Sequence, residues 1–197
     1  MSGPDIALFG TSADPPTLGH RALLEGLLRI YPQVATWASD NPLKRHAAPL
    51  ELRTALLAAL VEAIDDPRLE LVQALSSPWT VETLERAHRR WPQSRAVLVI
   101  GSDLVEQLPR WRRSAEWLPG CPVAIAPRQG WPLEQSAVER LRQLGAQPQI
   151  LELEVPASAS SGLRACGDSS QLPAELLPLL RQQDPYGLVP STARPEP

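Results

Sequence analysis

Short apolar runs rich in β-branched residues recur at positions 5–9, 33–38, 69–72, 96–100, 122–126 and 149–155, each of strand length. Between them, apolar residues return at helical spacing: Leu23, Leu24, Leu27 and Leu28, then Leu52, Leu56, Leu57, Leu60 and Ile64, then Leu84 with Ala87 and Trp91. Strand alternating with helix predicts an α/β fold, a parallel sheet covered on both faces. Open sheets of this kind bind ligands beyond the carboxyl ends of their strands. Chemistry is therefore expected in the first loop, at 10–19, and in the loops at 39–49, 74–80, 101–103, 127–132 and 156–164.

At 197 residues the chain is long enough to bury a sheet between helices in one core. The expected domain covers 1–188, with 189–197 a fraying, proline-rich tail. A formal net charge of −3 argues against the basic footprint of a duplex nucleic-acid binder. The N-terminus shows no basic segment followed by a long apolar stretch, and the apolar runs are too short to span a bilayer, so the expectation is a cytoplasmic protein without a membrane partner. Cys121 and Cys166 lack the spacing of a zinc site or a disulfide framework. With 22 prolines, roughly twice ordinary usage, the chain is heavily punctuated between its periodic segments.

The first strand runs through Phe9-Gly10-Thr11-Ser12-Ala13-Asp14-Pro15-Pro16 into Thr17-Leu18-Gly19-His20 and a helix. Unpaired N–H groups at such a helix start, aided by the helix dipole, suit an anion. A lone Gly10 or His20 there would be an ordinary turn or cap. The Thr-x-Gly-His spacing directly after an Asp-Pro turn is more demanding, and it resembles the signature of the adenylyl- and cytidylyltransferase superfamily, Gly-Gly-Thr-Phe-Asp-Pro followed by His-or-Thr-x-Gly-His. Thr11 stands where the second glycine often is, and Thr17 where the first histidine often is.

Beyond the last strand, Ser158-Ala159-Ser160-Ser161-Gly162-Leu163-Arg164 brings hydroxyls and a guanidinium to another expected helix start. Alone it reads as a serine cap with a solvated arginine. At this end of the chain it resembles the superfamily's Ile-Ser-Ser-Thr-x-Ile-Arg motif, with Ala159 and Ser161 as departures. Between the two ends the resemblance narrows to the nicotinate or nicotinamide mononucleotide adenylyltransferases. Asn41-Pro42-Leu43-Lys44-Arg45-His46, followed by Arg53, is similar to the family's Pro-x-x-Lys loop. Trp79-Thr80-Val81-Glu82-Thr83-Leu84 is similar to its aromatic–Thr–x–x–Thr–Leu segment. Ile100-Gly101-Ser102-Asp103 matches its Ile-Gly-x-Asp turn, Pro109-Arg110-Trp111 its tryptophan after a proline, and Pro127-Arg128-Gln129-Gly130 its Arg-Pro-Gly turn.

That resemblance implies a Rossmann-like doubly wound open parallel sheet of the nucleotidyltransferase type, on which a mononucleotide phosphate attacks the α-phosphorus of ATP. It implies His20, Thr17 and Arg164 as catalytic residues. Gly10, Thr11, Ser12, Gly19, His20, Gly101, Asp103, Ser160, Ser161 and Arg164 would bind ATP, and Lys44, Trp79, Thr80, Trp111 and Arg128 the mononucleotide. Trp37, Trp91, Trp117 and Trp131 are expected to serve packing. Mg2+ would come with the ATP phosphates, without a dedicated protein metal site. A pantetheine-phosphate adenylyltransferase shares both terminal motifs but not Trp79 and Trp111. A nucleotide-binding module without catalysis is the reading from another class, prompted by Thr11, Ala159 and Ser161. Acid or amide mononucleotide, and whether the chain forms a homo-oligomer, are not legible in these residues; the resemblance leans to the acid.

Overall fold

In the computed structural model, which describes residues 3–41, 44–153, 155–156 and 160–189, the apolar runs become six parallel strands. They are β1 (Asp5–Thr11), β2 (Gln33–Ala38), β3 (Leu69–Leu71), β4 (Arg95–Gly101), β5 (Pro122–Ala126) and β6 (Gln147–Ile150), in the spatial order β3-β2-β1-β4-β5-β6. Seven α-helices are described: α1 (Leu18–Ile30), α2 (Leu50–Ile64), α3 (Thr80–Arg90), α4 (Ser114–Trp117), α5 (Gln135–Gln143), α6 (Ser160–Cys166) and α7 (Leu177–Gln182).

Alternation along each strand sends its apolar side chains to two separate layers. Ala7, Phe9, Val34, Val97, Val99 and Ala124 face a layer built with Leu24 and Leu27 of α1, Leu56 and Leu60 of α2, Leu163 of α6 and Leu180 of α7. On the opposite face, Leu98, Ile100, Val123 and Ile125 pack with Val138 and Leu141 of α5, while Ile6, Leu8, Ala35 and Trp37 pack with Ala87 of α3. The doubly wound sheet follows from this division: burial on both faces removes apolar area from water twice over, at roughly 25 cal/mol per Å².

The strand order reverses between β1 and β4, and a crevice opens there beyond their carboxyl ends. The two strands end at Thr11 and at Gly101, so the first loop and the Gly101-Ser102-Asp103 turn face each other across the switch point. Gly10 is required by a neighbour: a Cβ there would lie 2.6 Å from the ring of Trp37, its register partner on β2.

The last strand differs from expectation. It occupies Gln147–Ile150 instead of 149–155, because its partner β5 offers pairing only from Pro122 to Ile125, with one further bond from Leu151 N–H to the Ile125 carbonyl. Past that point the chain turns to pack Leu153 against Gly26 of α1; Glu154 lies outside the described residues. The turn after Gly101 continues as a 3-10 helix, Ser102–Arg110. Val189, placed in the tail by sequence, packs against the core and donates its N–H to Asp184 Oδ2 at 2.7 Å. The rest of that tail lies outside the described residues.

Candidate active site

The β1–α1 loop is organised around His20. Thr17 caps α1, and its backbone N–H donates to His20 Nδ1 at 3.1 Å. On the ring's far side, Nε2 lies 2.9 Å from Thr11 Oγ1. Ala13, buried with a left-handed backbone at φ 48°, turns the chain so that its own N–H also reaches Thr11 Oγ1, at 3.3 Å. Burial, and secondarily the charge of Arg128, lowers the His20 pKa to about 4. The imidazole is thus neutral near pH 7, and it offers a hydrogen bond without a full charge. Gly19 is buried in the first turn of α1.

Two residues outside the expected set of site residues hold this loop in place. Asp14, read only as part of a turn, is 2% exposed; its carboxylate accepts from the N–H groups of Ala47 and Ala48, at 2.8 and 3.1 Å, and from the Tyr186 hydroxyl at 3.0 Å. Arg53 is 1% exposed and donates to the carbonyls of Ser12, Ser39 and Ala48 at 2.7, 2.8 and 3.1 Å. Expected as the basic residue that opens the next helix, it lies in the first turn of α2 and fastens the β1–α1 loop to both ends of the 39–49 loop. The signal was available: an arginine on the apolar face of α2 must satisfy its donors internally.

The two terminal motifs meet here. Ser160 Oγ donates to the Pro15 carbonyl at 2.8 Å, and the Arg164 guanidinium donates to the Asp14 carbonyl and lies 3.6 Å from its carboxylate. Ser161 is exposed at the start of α6, while Ser158 and Ala159 lie outside the described residues. Lys44 is exposed, with its N–H on the Asn41 carbonyl; Pro42 and Leu43 of that loop are outside the described residues. His46 sits 3.8 Å from Asp14, and burial lowers its pKa too.

Across the crevice, Gly101 leads into Asp103, whose carboxylate pairs with Arg128 at 3.1 Å. Sequence reading gave these two residues to different substrates; the structure brings them together. Ser102 Oγ, itself accepting from the Arg128 N–H, donates to the Trp131 carbonyl at 2.9 Å. Trp131 does not serve packing as expected: it is 55% exposed, because it sits on the loop after β5 beside a shallow cavity of about 140 Å³ that Asp103 also lines. Trp37 and Trp117 are buried.

Trp79 caps α3 immediately before Thr80, and both Trp79 and Trp111 pack partly buried against the cluster around Leu98 and Ile125. Trp111 also meets Trp117, with ring centroids 6.3 Å apart. Arg112 lays its guanidinium 4.6 Å over the Trp79 ring, a stacked cation that the sequence did not single out. Among the described residues no group of three His, Cys, Asp or Glu side chains could hold a metal ion, and no helix is long and apolar enough to cross a membrane.

Taken together, the loop presents neutral donors and arginines to an anion on one side, and aromatic surface stands on the other. A family model described as cytidylyltransferase-like matches residues 8–163. A Synechocystis protein called probable nicotinate-nucleotide adenylyltransferase is 37% identical over 196 residues, spanning 92% of this chain and 98% of that protein. A Methylorubrum extorquens protein of the same description is 33% identical over 162 residues, 78% of this chain and 85% of its own length. Among solved structures, the Plasmodium falciparum nicotinic acid mononucleotide adenylyltransferase complexed with NaAD superposes with a TM-score of 0.77 at 14% identity, over 94% of this chain and 98% of that one. At that identity the likeness concerns the fold.

Proposed function

The chain belongs to the cytidylyltransferase-like family, and from that premise we propose that it transfers AMP from ATP to nicotinate mononucleotide, giving deamido-NAD and pyrophosphate. The observation that carries the reading is the meeting of the two terminal motifs, with Ser160 on Pro15 and Arg164 on Asp14 at the rim of the loop that holds His20. The names of its 37% and 33% identical relatives support the acid substrate over the amide.

In the reaction, a phosphate oxygen of the mononucleotide attacks the α-phosphorus of ATP. The bond from that phosphorus to its bridging oxygen breaks, and pyrophosphate leaves with the bonding electrons. The nucleophile is already ionised near neutral pH, so no general base is needed, and catalysis reduces to positioning and charge stabilisation. The β1–α1 loop, with Gly10, Thr11, Ser12, Thr17, Gly19 and His20, takes the triphosphate. Because His20 is neutral, the positive charge facing the phosphates comes from arginine: Arg164 with Ser160 and Ser161 at the leaving end. Asp103, beside Gly101, is placed to accept from ribose hydroxyls. Lys44 meets the mononucleotide phosphate, Trp79, Thr80 and Trp111 frame the pyridine side, and Arg128, paired with Asp103, stands where the two substrates meet.

Nucleotidyl transfer in this family generally uses a divalent metal with ATP. The nearby carboxylates are already engaged, Asp14 by two amides and a tyrosine and Asp103 by Arg128. Mg2+ would therefore enter as part of the ATP substrate, on phosphate oxygens, where it neutralises charge on the triphosphate. The setting of the reaction is the cytoplasm, where ATP is supplied.

The test is pyrophosphate release from Mg-ATP with nicotinate mononucleotide, nicotinamide mononucleotide or phosphopantetheine as acceptor. Release with the nicotinate compound at the highest kcat/KM is expected. Preference for phosphopantetheine, or no release with any acceptor, overturns the proposal.

A further inference from the structure

Four donors converge on the His20–Thr11 pair, and two of them are backbone N–H groups whose protons cannot be moved. A backbone N–H only donates, so the Thr17 N–H on Nδ1 at 3.1 Å requires Nδ1 to be the unprotonated ring nitrogen, and the rotatable Thr17 hydroxyl, 2.8 Å from the same nitrogen, then donates to it as well. With the ring neutral, the proton is then on Nε2, and the 2.9 Å contact is a donation from Nε2–H to Thr11 Oγ1. The Ala13 N–H donates to the same oxygen. A hydroxyl has two acceptor positions and one proton. Both acceptor positions of Thr11 are filled, so its own proton must be given to something else.

Thr11 is the last residue of β1, at the switch point of the sheet, where a triphosphate is held in the reading given above. A glycine at this position, as in the commoner form of the signature, would leave Nε2–H itself facing the crevice. Here that bond is already committed to Thr11. We infer that Thr11 is the group that meets a phosphate oxygen of the nucleotide, donating its O–H, and that His20 acts through it as a positioning residue. The Nε2–H to Oγ1–H to phosphate chain polarises the hydroxyl, since each bond in such a series strengthens the next. It also fixes the direction of the hydroxyl proton before substrate arrives.

The inference rests on the proposed function for the identity of the nucleotide, and the experiment separates the two. Thr11→Val removes the hydroxyl at nearly constant shape, Thr11→Ser keeps it, and Thr11→Gly frees Nε2–H. Losing a hydrogen bond to a charged oxygen corresponds to about 10-fold or more. In turnover with Mg-ATP and nicotinate mononucleotide, kcat should fall by at least this factor in Thr11→Val and Thr11→Gly. The KM for the mononucleotide should hold, and Thr11→Ser should recover most of the loss. Titration with inorganic pyrophosphate, which needs no turnover, should show the same order of affinities. Nitrogen-15 NMR of the histidine rings should show the Nε2–H tautomer for His20 in the unmodified protein.

Thr11→Gly matching or exceeding the parent overturns the inference, because His20 then reaches the phosphate directly. So does undiminished pyrophosphate binding by Thr11→Val, absence of pyrophosphate binding by the parent, or an Nδ1–H tautomer. Absent turnover in the parent alongside the expected pyrophosphate and tautomer results would sink the proposed substrate and leave the Thr11 contact standing.

Discussion

His20 contributes to folding as well as to the proposed phosphate site. Its pKa is about 6.5 in an unfolded chain and, through burial and the nearby Arg128 charge, about 4 in the fold. As pH falls from about 6.5 to 4, the unfolded chain takes up a proton that the folded chain refuses, so stability drops across this window and levels off below it. Urea unfolding at several pH values should show this slope, and His20→Gln should flatten it. A residual slope of the same sign is expected from His46, which is also lowered, by burial and by Arg53 and Lys44 against the opposing charges of Asp14 and Asp40. The same variant should lose turnover by orders of magnitude near pH 7, where the parent ring is neutral. An unchanged slope would mean that His20 is not buried as neutral imidazole. Cys121 shows the opposite use of burial: its thiol is pushed up to about 11 and stays protonated, as suits a packing residue.

Among the elements, the turn from β4 into its 3-10 helix is the tightest constraint on the nucleotide side. A Cβ at Gly101 would lie 2.3 Å from Asp103 Oδ1. Gly101→Ala should therefore swing the carboxylate away and break its 3.1 Å pair with Arg128. The rest of β4 is fixed by pairing on both sides and by burial, so the fold should survive. The expected outcome is a rise of about 10-fold in the KM for ATP, with an unaltered far-UV circular dichroism spectrum. A normal KM would show that Asp103 does not hold the ribose. Helix α3 acts at the other end of the site: its cap residue Trp79 is pinned by N–H donation to Ser77 Oγ at 3.1 Å, which presents one ring face to Arg112.

Across the whole molecule, the chain's two ends are tied through one carboxylate. Asp14 receives the Tyr186 hydroxyl, and the Arg164 guanidinium lies beside it; burial and the Asp14 charge raise the Tyr186 pKa beyond the usual phenol range. The hydroxyl therefore stays protonated, and so a donor, at pH values where an ordinary phenol would ionise. Tyr186→Phe keeps the ring and removes this bond, which should cost about 1–2 kcal/mol in urea unfolding. It should also lower kcat/KM, since the Ala47 and Ala48 amides of the Lys44 loop share the same carboxylate. If neither quantity moves, the C-terminal segment does not steady the phosphate loop.

Sequence alone determined the strands and the first three helices, since periodicity records which faces must leave water, and five of the six runs lie where expected, to within two residues at either end. Motif spacing proposed His20, Arg164, Asp103 and Trp111 as site residues, whose chemistry is carried by residue type. The structural roles of Asp14 and Arg53 were not legible, because each depends on which backbone groups are brought within 3.1 Å by the folding of neighbouring loops. The same limit displaced β6, whose extent is set by its partner strand, and Trp131, which has aromatic character but no core to enter. Local pattern fixes what a segment can bury. Only the packed sheet decides which polar groups meet, because hydrogen bonds are satisfied by proximity in space and leave no period in the sequence.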